Sequence, residues 1–175
     1  MTLLDDILRE NEDFVRNFQG VDLPHHPQKK LAVFSCMDCR LIEFFKPAMG
    51  LKRGDAKIIT NAGNTIVDDD PIRSIAVAIY SLGAEEILIV GHNNCGMANI
   101  NIDDIKFKML KAGISEDVID EYDLDKWIGG FESEEENGIR TCEKIKNHPL
   151  IPDIPVHGLI IDIVTGEIEV LVEDY

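Results

Sequence analysis

Three short segments of this chain are apolar without interruption, and each is followed by turn-forming or polar residues. They run from Lys30 to Cys36, from Ala56 to Asn61 and from Glu86 to Gly91. Continuous rather than alternating apolarity is typical of strands that are buried on both faces, as in a parallel sheet. The pattern therefore predicts buried parallel strands at the centre of the fold.

Helical patterns lie between and after these strands. Pro71 to Leu82 stands between three aspartates and Gly83, the residues preferred at a helix start and stop, and Leu41 to Met49 is also predicted to be helical. Near the C-terminus two apolar runs flank Thr165 and Gly166 and predict a hairpin. We therefore expect an α/β fold with a mainly parallel four-stranded sheet flanked by helices, and a C-terminal strand hairpin. Further helices are predicted over Ile102 to Lys111, from Ser115, and from Ser133 to about Asn147.

The N-terminal segment is predicted to form a helical arm. Its apolar residues recur at helical spacing from Leu4 to Phe18, and Thr2 and Asp5 are spaced as a capping box. Pro24 and Pro27 then end the helix, because proline lacks the N–H donor. A length of 175 residues suits one domain. We expect a single domain over residues 1–175, in which residues 1–29 form the helical arm and its loop.

The charge balance narrows the classes of partner. The chain has 33 acidic residues against 17 basic ones, a formal net charge of −16, which repels nucleic-acid phosphates and anionic lipids. It contains no apolar run long enough to span a membrane, and Asp5 and Asp6 stand where a signal peptide would be basic. We therefore expect a cytoplasmic protein with no nucleic-acid or membrane partner.

Cysteine and histidine follow two of the predicted strands. Ligands of open α/β sheets gather at the carboxyl ends of the strands. Cys36 ends the first run, and His92 and Cys95 follow the third. These three side chains should therefore converge if the two strands are neighbours. Two sulfurs and one imidazole nitrogen are the ligand set of a catalytic zinc, whose fourth position is left for water. The residues thus predict one Zn²⁺ per chain.

Asp38 and Arg40 lie on the same loop as Cys36. Their i, i+2 spacing lets carboxylate and guanidinium form a two-pronged pair in an extended turn. While paired, Asp38 leaves the fourth zinc position to water and accepts a hydrogen bond from it. When released, Asp38 becomes a fourth ligand and blocks the site. We therefore expect Asp38 to be a conditional fourth ligand and Arg40 to decide its state.

Cys39 keeps a second interpretation of this cluster open. With Cys36 it forms a Cys-x-x-Cys pair, a pattern of redox exchange and of closed structural zinc sites. With Cys39 as fourth ligand the site would be a saturated Cys₃His module without catalytic activity. The remaining cysteine, Cys142, lies on the apolar stripe of the last predicted helix and is expected to pack in the core.

The combination of these residues resembles the β-class carbonic anhydrases, in particular their short archaeal and bacterial branch. The resemblance extends over nearly the whole chain. It implies zinc ligation by the three residues above, an Asp38–Arg40 catalytic pair, and an N-terminal helix that packs across a partner subunit in a homodimer or larger assembly. The matching residues are Cys36-x-Asp38-x-Arg40, Asn61-Ala62-Gly63-Asn64 and His92-x-x-Cys95.

The resemblance also implies the reaction. A hydroxide on zinc attacks CO₂ held against the backbone of Ala62 and Gly63, bicarbonate leaves, and a proton departs through His25 or His26 or directly to buffer. Because two thiolates neutralise the metal more than three imidazoles do, activity is expected to rise on the alkaline side. The alternative function is the same zinc chemistry on CS₂ or carbonyl sulfide, which share an electrophilic carbon with CO₂.

Overall fold

A computed structural model describes residues 2–175. Its centre is a five-stranded sheet in which the strands lie in the order second, first, third, fourth, fifth. The first strand pairs in parallel with the second and the third, the third pairs in parallel with the fourth, and the fifth is antiparallel to the fourth. The strands are β1 (Leu31–Cys36), β2 (Ala56–Asn61), β3 (Glu86–His92), β4 (Val156–Ile161) and β5 (Ile168–Val172).

Helices connect and flank these strands. In the described part of the chain, none of them combines the length and the hydropathy needed to cross a membrane. The helices are α1 (Leu3–Asn17), α2 (Phe45–Ala48), α3 (Asp70–Tyr80), α4 (Ile102–Lys111), α5 (Glu116–Asp120), α6 (Leu124–Ile128) and α7 (Glu134–Lys146).

The sheet is the middle layer of the fold. All six residues of β1 are buried, which agrees with its continuous apolar run. Because successive side chains of a strand point to opposite faces, neighbouring residues of β1 belong to different hydrophobic clusters. Val33 packs in one cluster with Phe45 of α2. Phe34 packs in the other with Ile75 of α3 and Ile145 of α7.

The parallel registers place the carboxyl ends of the strands at one edge of the sheet. Cys36, the last residue of β1, stands opposite Asn61, the last residue of β2. Ser35 stands opposite Val90, so β3 continues past it to His92. The polar residues that follow these three strands therefore share one edge.

The predicted fold class is confirmed, with two differences. The sheet has five strands rather than four, because β5 pairs beside β4 and completes it. The predicted helix over Leu41 to Met49 is confirmed only in its second half, since the chain forms a 3₁₀ turn at Cys39–Leu41 and then the short α2. Between them Glu43 has a φ of 55°, a left-handed conformation that interrupts a right-handed helix.

The first helix, α1, has the boundaries and the cap expected of the N-terminal arm. The hydroxyl of Thr2 accepts from the Asp5 N–H while the Asp5 carboxylate accepts from the Thr2 N–H, so the capping box is confirmed. None of the residues of α1 is buried; Leu4 is 62% exposed and Phe14 57%. Met1, which belongs to the predicted arm, lies outside the described residues.

Candidate metal centre and active site

Cys36, His92 and Cys95 form a buried cluster at the carboxyl edge of the sheet. Their ligand atoms, two sulfurs and one imidazole nitrogen, all lie within 4.8 Å of one another. The two sulfurs are 3.9 Å apart. The structure therefore brings together the three side chains whose convergence the strand pattern predicts.

Hydrogen bonding orients the imidazole of His92. Its Nδ1–H donates to the carbonyl of Asn93 at 2.8 Å, which leaves Nε2 with a free lone pair. Among residues 2–175 this buried Nε2 finds no hydrogen-bond partner. A buried polar atom without a partner is costly. Because two thiols stand beside it, the residues fit a metal that prefers tetrahedral nitrogen and sulfur ligands, as zinc does.

The two thiols of the cluster are electrostatically coupled. A hydrogen bond from Cys95 lowers the pKa of Cys36, and the His92 side chain and the backbone N–H groups of Asp38 and Gly63 act in the same direction. The same bond, together with burial, raises the pKa of Cys95. The thiolate form is therefore favoured at Cys36 and the protonated form at Cys95, and a cation bound to both sulfurs would displace the remaining proton.

Asp38 and Arg40 form the two-pronged pair that their spacing predicts. Arg40 donates from Nε to Asp38 Oδ1 at 2.9 Å and from Nη2 to Asp38 Oδ2 at 2.6 Å. Its backbone N–H donates to the same carboxylate at 2.9 Å, so Asp38 also caps the 3₁₀ turn. The hydrogen bonds from Arg40 lower the pKa of Asp38 to about 2. The carboxylate is therefore ionised throughout the neutral range and acts only as an acceptor.

The Asp38–Arg40 pair contacts both loops of the cluster. Asp38 Oδ2 lies 3.8 Å from His92 Nε2, and Arg40 Nη2 donates to the carbonyl of Asn94 at 2.8 Å. The ion pair thus connects the loop after β1 to the loop after β3. The Asp38 side chain is 15% exposed and that of Arg40 40%, which places the pair between the buried cluster and solvent.

Ala62 and Gly63 lie in a 3₁₀ turn directly after β2. Gly63 has a φ of 70°, and a Cβ at this position would lie 2.8 Å from Phe131 Cε1, so backbone conformation and space both require glycine. The Gly63 N–H lies close enough to the Cys36 thiol to lower its pKa. The predicted substrate-binding turn is therefore adjacent to the cluster.

Side chains of α7 support this turn on its other side. Asn137 Nδ2 donates to the carbonyl of Gly63 at 3.0 Å, and the Thr141 hydroxyl donates to the carbonyl of Asn64 at 3.2 Å. Asn137 and Thr141 are both buried. Because a carbonyl and the following N–H share one peptide plane, these bonds also fix the direction of the Asn64 and Thr65 N–H groups.

The structure does not bring the predicted proton shuttles to the cluster. His26 Nδ1 is 2.9 Å from the carbonyl oxygen of Leu82, which precedes β3 and so lies at the amino edge of the sheet. His25 is exposed in the same loop, ahead of β1. The length of β1 separates this loop from the cluster, so the expected shuttle role of His25 and His26 is not supported within one chain.

Cys39 is not a member of the cluster. It is exposed at the start of the 3₁₀ turn, and in the part of the chain that the structure describes the potential metal-binding group contains Cys36, His92 and Cys95 alone. The saturated Cys₃His alternative is therefore wrong, because its fourth sulfur lies outside the group. Cys142 packs in the core as predicted, and burial raises the pKa of its thiol to about 12.

Asn93 is a supporting residue that sequence reasoning missed. Its side chain donates to Asp162 Oδ2 at 2.7 Å and accepts from the Ile163 N–H at 3.0 Å. These bonds tie the end of β3 to the turn after β4, and so fix the carbonyl that orients His92. Its position directly after His92 could have indicated a role beside that ligand. Its hydrogen bond to Asp162 could not be predicted without knowing that β3 and β4 are neighbours.

Glu134 is a second supporting residue that was missed. Its carboxylate accepts from the Cys95 N–H at 3.1 Å, across a distance of 39 residues in sequence. Glu134 belongs to an acidic run that reads as a solvated face. Nothing in the local sequence distinguishes it from the neighbouring acids.

The chain is similar to known proteins over most of its length. Residues 31–168 match the family described as carbonic anhydrase. The chain is 42% identical to YvdA of Bacillus subtilis, a protein provisionally named a carbonic anhydrase, over 100% of this chain and 94% of that protein. It is 37% identical to the crystal structure of β-carbonic anhydrase isoform I from Trichomonas vaginalis, with a TM-score of 0.95 over 100% of both chains.

The mainly parallel sheet carries a Cys–His–Cys cluster and an Asp–Arg pair at its carboxyl edge, which defines an α/β protein with a potential metal centre. The chain belongs to the carbonic anhydrase family and, within it, to the β class. A carbon disulfide hydrolase of Acidithiobacillus thiooxidans is 33% identical over 80% of this chain and 76% of that protein. This lower identity does not favour CS₂ as the substrate.

We predict that Cys39→Ser keeps its metal. Because Cys39 lies outside the cluster, the purified variant should carry the same metal per chain as the wild type, measured by mass spectrometry of the metal content. The matched control, Cys95→Ser, removes a sulfur of the cluster and should weaken metal binding by at least about tenfold. Loss of metal from Cys39→Ser alone would restore the four-ligand interpretation.

Proposed function

We propose that this protein is a zinc-dependent carbonic anhydrase that interconverts CO₂ and bicarbonate as a homodimer or larger homo-oligomer. The observation that carries the proposal is the buried, unpartnered Nε2 of His92, beside two coupled thiols and an ion-paired carboxylate. The resemblance to β-class enzymes supplies the reaction, and the geometry supplies the groups that this reaction needs.

Cys36, His92 and Cys95 are the residues that would hold the zinc. Two thiolates and one imidazole suit Zn²⁺ better than hard cations, which prefer oxygen ligands. When bound there, zinc would supply an acidified water as the nucleophile. The backbone N–H groups of Asp38 and Gly63 stabilise the thiolate of Cys36.

Asp38 would orient the attacking water. Its carboxylate is ionised, its Oδ2 lies 3.8 Å from His92 Nε2, and both oxygens are held by Arg40. An acceptor held in this way selects one orientation of the water O–H, so that the lone pair faces the substrate. The hydrogen bonds from Arg40 to Asp38 and to the Asn94 carbonyl restrain the position of the carboxylate.

The turn at Ala62 and Gly63 would hold CO₂. The turn is adjacent to Cys36 and is braced by Asn137 and Thr141 of α7. Its N–H groups are donors that suit the negative charge that develops on the CO₂ oxygens during attack. Phe131 packs against the same turn and limits the access of bulk water.

The proton would leave directly to buffer. Asp38 and Arg40 are partly exposed, while His26 is engaged with Leu82 at the opposite edge of the sheet.

The four free cysteines agree with a reducing, cytoplasmic location. The domain would act as a single unit over residues 1–175, since the site uses residues from β1 through the turn after β4.

The N-terminal helix supports the proposal of a homodimer. Apolar side chains form one row along α1, and none of them is buried within the chain. Such a row is stabilising only when another surface covers it. A second copy is the occupant that the resemblance implies. The exposed residues of the row are Leu4, Ile7, Leu8, Phe14, Val15 and Phe18.

We predict one zinc per chain and CO₂ hydration in the purified protein, with rates that rise on the alkaline side. The same preparation should be assayed with CS₂ and carbonyl sulfide by stopped flow and by sulfide release. His92→Gln should lose zinc and activity, because it removes the nitrogen ligand, whereas the matched His148→Gln should keep both. Zinc binding without CO₂ hydration but with CS₂ hydrolysis would contradict the proposal in favour of the alternative substrate.

We predict that Arg40→Ala lowers CO₂ hydration by about 10- to 100-fold. Without Arg40 the Asp38 carboxylate is released beside His92 Nε2 and is free to take the fourth ligand position. The crystal structure of the zinc-loaded variant should show Asp38 closer to the cluster. Lys30→Ala removes an ion pair with Glu85 at the amino edge of the sheet, ahead of β1 and β3, and should leave the rate unchanged. Full activity with Asp38 still distant from the metal would overturn this role of Arg40.

We predict that Ile7→Glu disrupts the dimer. The substitution places a charge in the apolar row of α1, so the molar mass measured by light scattering should fall toward that of one chain. Asn17→Glu adds the same charge to α1 outside the row and should leave the mass unchanged. A dimer of unchanged stability in Ile7→Glu would show that α1 does not form the interface.

A further inference from the structure

A second polar cavity lies between α6, α7 and the segment that follows the Ala62–Asn64 turn. Its volume is about 260 Å³. The cavity is lined by Thr65 to Val67, by the end of α6 with Gly129 and Gly130, and by one face of α7. The charged groups in its lining are Asp125, Lys126, Arg140 and Lys144.

The charge of this cavity differs in sign from that of the molecule. The chain as a whole carries a net charge of −16, yet the lining holds three cations and one carboxylate. Among residues 2–175, no carboxylate lies within ion-pair distance of Lys126, Arg140 or Lys144; Arg140 and Lys144 contact neutral oxygens instead. Cations that cluster in an acidic protein without an acidic partner indicate a site for an anion.

The two cations of α7 have unused donors. Arg140 Nη2 donates to Asn137 Oδ1 at 3.2 Å, and Lys144 Nζ donates to the carbonyl of Ile66 at 2.7 Å. Guanidinium has five N–H donors and ammonium three, so most remain for a ligand. Burial and the nearby charge of Arg140 lower the pKa of Lys144. A bound anion would relieve this repulsion.

We propose that the cavity between Arg140 and Lys144 binds a small oxyanion of the phosphate class. Two adjacent cations match the charge of a phosphate dianion, and a guanidinium binds two of its oxygens at once. The volume is below the range of pockets for drug-sized ligands, which excludes a nucleotide and suits free phosphate or a small phosphate ester.

The cavity is separate from the metal cluster but adjoins the turn that borders it. Asn137 and Thr141 lie between the two sites, and both donate to carbonyls of the turn. A phosphate bound to Lys144 would compete with the Ile66 carbonyl for the ammonium. The site is therefore distinct from any anion site at the metal, and the two can be separated by substitution.

The test is calorimetric titration of the zinc-loaded protein with inorganic phosphate and, in parallel, with glycerol phosphate. We expect saturable binding of at least one of them to the wild type, and at least a tenfold loss of affinity in the double variant Arg140→Gln, Lys144→Gln, since both charge-assisted hydrogen bonds to the anion are removed. Tighter binding of the ester would identify a phosphorylated small molecule as the ligand, and tighter binding of inorganic phosphate would identify the free ion.

Two further variants keep the result interpretable. Lys29→Gln, Lys111→Gln removes the same charge at exposed positions away from the cavity and should bind phosphate as the wild type does. Arg140→Lys keeps a cation in the cavity, and retained binding would show the role of charge if the double variant does not fold. No saturable binding to the wild type, or equal binding to a folded double variant, would overturn the proposal.

Discussion

The parallel pairing of β1 with both β2 and β3 is the constraint on which the rest of the structure depends. It places Cys36, the turn after β2, and His92 at the same edge of the sheet. A strand that pairs on both sides lies inside the sheet, and both faces of β1 are covered by hydrophobic clusters. All of its residues are therefore buried. The chemistry is therefore a consequence of strand register, which a slip of one residue would destroy by turning every side chain to the other face.

The buried cluster is stable because its polar groups are held by a surrounding network. The carbonyl of Asn93 fixes His92, the carboxylate of Glu134 accepts from the Cys95 N–H, and the backbone of Gly63 lowers the pKa of Cys36. Each partner comes from a different element, so the cluster is complete only in the folded sheet. His92 Nε2 is the ligand atom left without a hydrogen-bond partner in the described residues, and a free lone pair beside two thiols suits the cluster to bind a metal.

The sequence predicted the parts of this structure that depend on local pattern. Continuous apolarity identified β1, and the spacing of Asp38 and Arg40 identified their ion pair, because both signals lie within a few residues. The proton-shuttle expectation for His26 failed, since proximity to the first strand does not say at which end of that strand a loop lies. Glu134 was missed for a similar reason: a contact across 39 residues leaves no trace in an acidic run.

Arg40 performs two tasks with one charge. Its guanidinium holds Asp38 through two oxygens and at the same time donates to the Asn94 carbonyl in the loop that carries Cys95. A lysine presents a point charge without a planar fork and would not reproduce this arrangement. The residue that holds Asp38 therefore also braces the loop that carries Cys95. Release of Asp38 and movement of the Cys95 loop are for this reason expected to occur together, as a single change of state.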